Sequence, residues 1–140
     1  MSTKTYTLIT GASGGIGHDL AVLSAADGKN LVLVARSSAK LNELSERFRK
    51  DNNLDVIIVA VDLSTEAGVN KLISDISLKN IQVDTWINNA GFGDFGDFAA
   101  ADLAKNMEMI RLNISALTQL SHFALQGMLK AGKGRIMNVA

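Results

Sequence analysis

Short runs of β-branched and aliphatic residues alternate along this chain with segments whose apolar positions recur at helical spacing. The strand-like runs are Thr5–Thr10, Asn30–Ala35, Asp55–Val61, Thr85–Asn88 and Arg135–Val139. Within the third, Val56 to Val61 is apolar without alternation, as in a strand covered on both faces. Ile16–Ala26 reads as a helix between the first two runs. Ser38–Lys50 reads as another, with Leu41, Leu44 and Phe48 at i, i+3 and i+7 and Ser37 or Ser38 as its N-cap. Val69, Leu72, Ile73 and Ile76 mark a third helix that begins near Ser64 or Thr65. Strands joined through helices in this way give an α/β architecture, a parallel sheet with right-handed crossovers.

The segment from Asn106 to Leu129 has apolar residues on two sides. Met107, Ile110, Ile114 and Leu117 line one helical face, and Leu112, Ala116, Leu120 and Phe123 line another. Such a helix needs two covers, the sheet and either more of the same domain or a second subunit. This chain lacks the second cover. The stretch Gly91–Phe98 reads as a loop after the fourth strand, with its aromatic residues expected to pin it down.

Composition narrows the function classes. The length of 140 residues fits one domain, and 47% hydrophobic residues suffice for a packed core. Lys plus Arg equals Asp plus Glu at 14 each, so bulk charge favours neither nucleic acid nor an anionic membrane. No cysteine is present, which excludes a disulfide framework and Cys-based zinc sites. No His/Asp/Glu cluster has metal-ligand spacing, so no metal is expected. No apolar stretch reaches the roughly 18 residues of a membrane span, and no basic leader precedes a long apolar run. A cytoplasmic protein without membrane or nucleic-acid partners is the expectation.

The chemistry concentrates at the first strand-to-helix junction, Thr10-Gly11-Ala12-Ser13-Gly14-Gly15-Ile16-Gly17. A glycine-rich turn there lets the backbone approach a pyrophosphate, and the helix N-terminus offers free N–H groups and partial positive charge. Gly11, Gly15 and Gly17 follow T-G-x-x-x-G-x-G rather than G-x-G-x-x-G. Asn88-Asn89-Ala90-Gly91 follows the fourth strand-like run, Asp62-Leu63 follows the third, and Asn113 lies in the long helical segment. In this order and at these separations the motifs resemble the short-chain dehydrogenase/reductase family, over the whole chain.

The resemblance implies a Rossmann-like, doubly wound parallel sheet of about five strands in the order 3-2-1-4-5, with helices on both faces. It implies that residues 1–140 form an NADP(H)-binding domain, the N-terminal portion of a longer, truncated member. Backbone around Gly11, Ser13, Gly14 and Ile16 would hold the pyrophosphate and its flanking riboses. Asp62 would accept a hydrogen bond from the adenine amino group, with Leu63 packing near the ring. Asn89 and Ala90 would border the adenosine ribose, while Asn88 would tie neighbouring strands together. Asp62 also reads as a cap on the next helix.

Cofactor choice turns on the end of the second strand. A carboxylate about 20 residues after the glycine turn would hold the ribose 2′-hydroxyl of NAD. That place holds Ala35, followed by Arg36, Ser37 and Ser38. A guanidinium with neighbouring hydroxyls suits a 2′-phosphate through parallel charge-assisted bonds, although Arg36 also reads as an ordinary solvated loop arginine. Many NADP-using relatives carry a further basic residue just before the middle glycine, where this chain has Gly14. NADP(H) is expected in preference to NAD(H).

In the family a Ser, a Tyr, a Lys and an Asn assist hydride transfer. The single tyrosine here is Tyr6, in the first strand, and no Tyr-x-x-x-Lys exists. The family's Ser would follow a strand such as Arg135–Ala140, where the sequence ends. Of the four only Asn113 is present; the resemblance gives it the task of bending its helix and holding a water in a proton relay. The expectation is therefore the cofactor-binding half of an NADP(H)-dependent oxidoreductase for a small-molecule carbonyl or alcohol, inactive as these 140 residues. The alternative is a non-catalytic fragment that binds a dinucleotide or a partner. The resemblance implies a homo-oligomer for a full-length member and leaves this chain's state open. Of the remaining polar or bulky residues, His18 reads as a surface histidine, His122 as one at a packing boundary, and Trp86 as core.

Overall fold

The computed structural model describes residues 4–140. Five parallel strands, β1 (Tyr6–Thr10), β2 (Asn30–Ala35), β3 (Val56–Ala60), β4 (Val83–Asn88) and β5 (Arg135–Asn138), form one sheet in the order β3-β2-β1-β4-β5. This is the 3-2-1-4-5 order expected. β1 lies at its centre, where Leu8 pairs with Val32 on one side and Trp86 on the other. Helices α1 (Gly15–Ala26), α2 (Ser38–Asn52) and α3 (Glu66–Leu78) supply the first three crossovers.

The pleat sends alternate residues of each strand to opposite faces, so each strand feeds two cores. Ile9, Leu31, Leu33 and Ile87 pack against Ala21 and Ala25 of α1 and Leu41, Leu44 and Phe48 of α2. Leu8, Val32, Val34 and Trp86 pack against Val69, Leu72 and Ile76 of α3 and Leu120, Ala124 and Met128 further along. Trp86 is core as expected, edge-on to Phe123 with ring centroids 6.1 Å apart. The caps follow the sequence: Ser37 Oγ accepts from Lys40 N at 3.3 Å, and Thr65 Oγ1 accepts from Gly68 N at 3.0 Å.

The strand expected from Asp55 begins one residue later, at Val56. Asp55 serves as a corner: its N–H donates to Asn30 Oδ1 at 3.0 Å, and its carboxylate receives Lys4 Nζ at 3.2 Å and the Tyr6 hydroxyl. The expected long helix is also not uniform. α4 (Leu103–Ile110) leads into a wider π-helical segment, Arg111–Ala116, before α5 (Leu117–Ala131) restores the regular spacing. One side of this element is buried at Ala116, Leu120, Ala124 and Met128, whereas Met107, Ile110 and Ile114 on the other remain exposed.

Two expectations are overturned. Phe95 and Phe98 do not pin the loop after β4; both side chains stand in solvent, and Phe92 alone of its aromatics is half-buried. Polar links hold the segment instead, with Lys105 Nζ on Asp94 Oδ1 at 3.2 Å and the Asn113 amide on the Phe92 backbone. His122 is exposed rather than at a packing boundary, because Leu120 and Ala124 take the inward positions of α5 and leave it on the outer arc. His18 is partly exposed beside Asp19. Among the described residues β5 pairs with β4 alone, and all four of its residues are exposed.

Candidate functional site

The glycine turn stands at the C-terminal end of the central strand, where the chain leaves β1 for α1. Gly11 adopts φ +65°, a left-handed conformation that a side chain would strain. Ala12 N then donates to Val34 O at 3.1 Å and fixes the turn against β2. Gly17, in the first turn of α1, rests on the Gly11 carbonyl so closely that a Cβ would lie 2.2 Å from that oxygen. The helix therefore starts directly above the strand tip.

Its end is open. The N-cap is Gly14, with no side-chain hydrogen bond to the cap and no acidic residue in the first turn. A Cβ on Gly14 would meet no atom within 4 Å. The first N–H groups of α1 and its positive end thus face outward without a protein partner, as an anion-binding site requires. Ser13 is half-buried on the cleft, and Ile16 is exposed beside it.

The Asn-Asn-Ala-Gly stretch is tied to this turn by Thr10, to which the sequence alone assigned no separate role. Thr10 Oγ1 accepts from both Asn89 N and Ala90 N at 2.9 Å. The Asn89 amide nitrogen donates back to the Thr10 and Gly11 carbonyls at 3.2 Å each. Asn89 thus braces the turn, and Ala90 lines the cleft beside it. Asn88 points the other way: it donates to Ser121 Oγ and Asn138 Oδ1, both at 2.9 Å, and accepts from Trp86 Nε1 at 3.0 Å. It binds β4 to β5 and α5, the strand-tying job expected of it.

A cleft of about 180 Å³ opens along the strand tips, with Gly11, Arg36, Asp62, Leu63 and Ala90 among its walls. Glu108 and Leu112 close its far side, two residues that helical periodicity alone did not mark as site residues. Arg36 is exposed at the end of β2 and makes no ion pair with a carboxylate among the described residues. Next to it Ser37 caps α2, whose first turn likewise carries no acid. Asp62 Oδ1 accepts from the Ser64 hydroxyl at 2.7 Å and from Ser64 N at 2.9 Å. Those two bonds, the hydroxyl's foremost, hold the carboxyl below its ordinary range, with help from the Arg36 charge. Asp62 is therefore ionised at the cleft, and the cap of α3 is Thr65 instead.

Asn113 sits in the π-helical segment and grips the Phe92 backbone. Tyr6 lies at the opposite end of the sheet. Burial, and then its bond to Asp55, push its hydroxyl up to about 12, so it exchanges no proton near neutral pH. No group of three or more His, Cys, Asp or Glu able to hold a metal occurs among the described residues, and no helix there is long and apolar enough to cross a membrane.

Comparison with known proteins agrees with this geometry. A sequence model described as short chain dehydrogenase matches residues 5–140. An uncharacterized oxidoreductase of Bacillus subtilis, YmfI, is 34% identical over 95% of this chain and 54% of its own length. An 11-beta-hydroxysteroid dehydrogenase-like protein of Arabidopsis thaliana, 4A, is 32% identical over 95% of this chain and 44% of its own. The solved short-chain dehydrogenase from Sphingobium yanoikuyae in complex with NADPH superposes with a TM-score of 0.90 at 33% identity, covering 96% of this chain and 52% of that one. The chain thus spans about half the length of the relatives it matches. The glycine turn, its Thr10 brace, the strand order and the match over residues 5–140 agree: this chain belongs to the short-chain dehydrogenase family of oxidoreductases.

Proposed function

We propose that this chain holds NADP(H), in preference to NAD(H), for an oxidoreductase that acts on a small-molecule carbonyl or alcohol. The observation that carries the preference is Arg36, exposed at the mouth of the cleft where a carboxylate would favour NAD. A guanidinium there, beside the acid-free start of α2, suits a 2′-phosphate by charge and by its two parallel donors.

The residues present fit the rest of the group. The open N-terminus of α1, with Gly11, Ser13, Gly14 and Ile16 around it, would take the pyrophosphate. Asp62, kept ionised by Ser64, would accept from the adenine amino group, and Leu63 would lie against the ring. Ala90 would border the ribose, with Asn89 holding the turn beneath it. When bound, the nicotinamide would supply or take up the hydride. Asn113 is the one member of the family's catalytic set present, and here it positions the loop at Phe92. The 140 residues contain no Tyr-x-x-x-Lys, so they bind cofactor without turning substrate over. The relatives' names support a carbonyl or hydroxyl substrate.

Calorimetric titration with NADP⁺ and NAD⁺ tests this reading. Tighter binding of NADP⁺ is expected. Equal or tighter binding of NAD⁺ would remove the case for Arg36, and binding of neither would remove the case for the cradle.

A further inference from the structure

At the end of the sheet opposite the glycine turn, two hollows adjoin along the α3–β4 connection. The smaller, about 470 Å³, lies between α3, the start of β4 and α5. Half-buried Phe123 gives it an apolar wall, with the core residues Trp86 and Ile76 behind it, and Lys130 stands at its rim. The larger, about 770 Å³, is bordered by Lys4, Lys79 and Lys133. Asn80, Ile81, Gln82 and Ala131 belong to both walls, so the two form one continuous depression.

Two features set this depression apart from ordinary surface. First, its charge has one sign. No Asp or Glu lines either hollow among the described residues, although the chain carries equal numbers of acids and bases. Lys4 is paired with Asp55, whereas Lys79, Lys130 and Lys133 make no ion pair with a carboxylate among the described residues. Second, α5 carries a glycine in its interior at the wall of the smaller hollow. Gly127 is a poorer helix former than alanine would be at that position. A Cβ there would meet no atom within 4 Å, so the glycine relieves no clash and leaves space at the wall of the hollow. The smaller volume falls in the range of about 300–1,000 Å³ typical of small-molecule sites.

We propose that this depression binds an amphipathic organic anion, its apolar body against Phe123 and its carboxylate or phosphate on Lys130, Lys133 and Lys79. The site is separate from the dinucleotide cleft and does not depend on how that cleft is read.

Trp86 is the only tryptophan and stands edge-on to Phe123 with ring centroids 6.1 Å apart, so its fluorescence responds to a ligand that moves that ring. The test is titration of the 140-residue chain, without dinucleotide, with decanoate and with decanol as the uncharged control. A saturable change is expected with both, at lower concentration for decanoate. The double variant Lys130→Glu/Lys133→Glu is expected to weaken decanoate about tenfold and decanol less than about twofold, as two exposed charges at the upper end of their usual worth would do. Gly127→Leu is expected to abolish both responses while circular dichroism shows an intact fold. The proposal fails if wild-type Trp86 gives no saturable response, if the charge variant weakens both probes alike or neither, or if folded Gly127→Leu still binds. Should Gly127→Leu not fold, the exposed lysine variant decides alone.

Discussion

Asn113 holds Phe92 by both ends of its amide: Oδ1 accepts from Phe92 N at 3.1 Å, and Nδ2 donates to Phe92 O at 2.8 Å. One side chain in the widened turn of a helix thereby pairs the backbone of a residue four positions beyond the end of β4, where no ladder bond is made. Gly91 sits under the same amide, where a Cβ would lie 2.9 Å from Oδ1. Asn113→Ala leaves a half-buried N–H and C=O unpaired and is expected to cost about 1–3 kcal/mol in urea unfolding. Gly91→Ala disturbs the same contact, so the double variant should lose less than the sum of the singles. Additive losses would show that the two positions act separately.

The glycines of the first turn divide into one packed into the fold and one that faces open space at the proposed cofactor site. Gly17→Ala drives a Cβ into the Gly11 carbonyl and is expected to destabilise the chain by about 1–3 kcal/mol. Gly14 is extended at φ −165° and faces open space. Gly14→Ala should therefore leave thermal stability near wild type while weakening NADP⁺ binding in calorimetry, because the methyl stands where the pyrophosphate would lie. Unchanged affinity in a folded Gly14→Ala variant would place the phosphates elsewhere.

The strands, the first three helices and the position of the glycine turn were legible because local signals act in concert there, whereas the strand order and the two helical layers came from the family resemblance. β-branched runs, i/i+3/i+7 spacing at Leu41, Leu44 and Phe48, and Gly11 at a junction all specify the same local structure. Less legible was whatever depends on contacts between distant segments. The widening at Arg111–Ala116 leaves no mark in the apolar period, since Ala116 and Leu120 keep regular spacing after it. Thr10 looked like the last residue of a strand, yet its hydroxyl receives two amides from a segment 79 and 80 positions away. The aromatics of the loop after β4 misled in the other direction: Phe95 and Phe98 are apolar, but no element here packs over them.

Arg36→Asp replaces the exposed cation at the end of β2 with a carboxylate. It should weaken NADP⁺ by roughly 10- to 100-fold, the worth of losing charge-assisted bonds to a phosphate, and change NAD⁺ far less. Equal losses for the two dinucleotides would make Arg36 a bystander.

The chain should reduce no ketone with NADPH. Its one tyrosine is buried at the far end of the sheet, with its hydroxyl raised to about 12. Following NADPH absorbance with a panel of small ketones checks this, and steady turnover by pure protein would show that a different proton donor operates.

The Tyr6–Asp55 pair should make stability depend on pH at both extremes, in opposite senses. Asp55 is held below its ordinary range, first by the Tyr6 hydroxyl and then by Lys4 and Arg49. A carboxylate depressed in the folded state contributes stability above its unfolded value, about 3.9, and loses it as pH falls through the folded one. Tyr6 is raised to about 12, so its contribution is complete below its unfolded value of about 10 and is lost as pH rises through 12. Tyr6→Phe removes the donor and returns Asp55 toward its ordinary range. In urea titrations the variant should be less stable than wild type by about 1 kcal/mol at pH 7. The difference should shrink as pH falls below the ordinary carboxylate range and through the depressed folded value of Asp55, and close once the carboxyl is protonated in both. A difference that stays constant from pH 7 to pH 2 would mean that the lost stability is packing around the ring rather than the bond to Asp55.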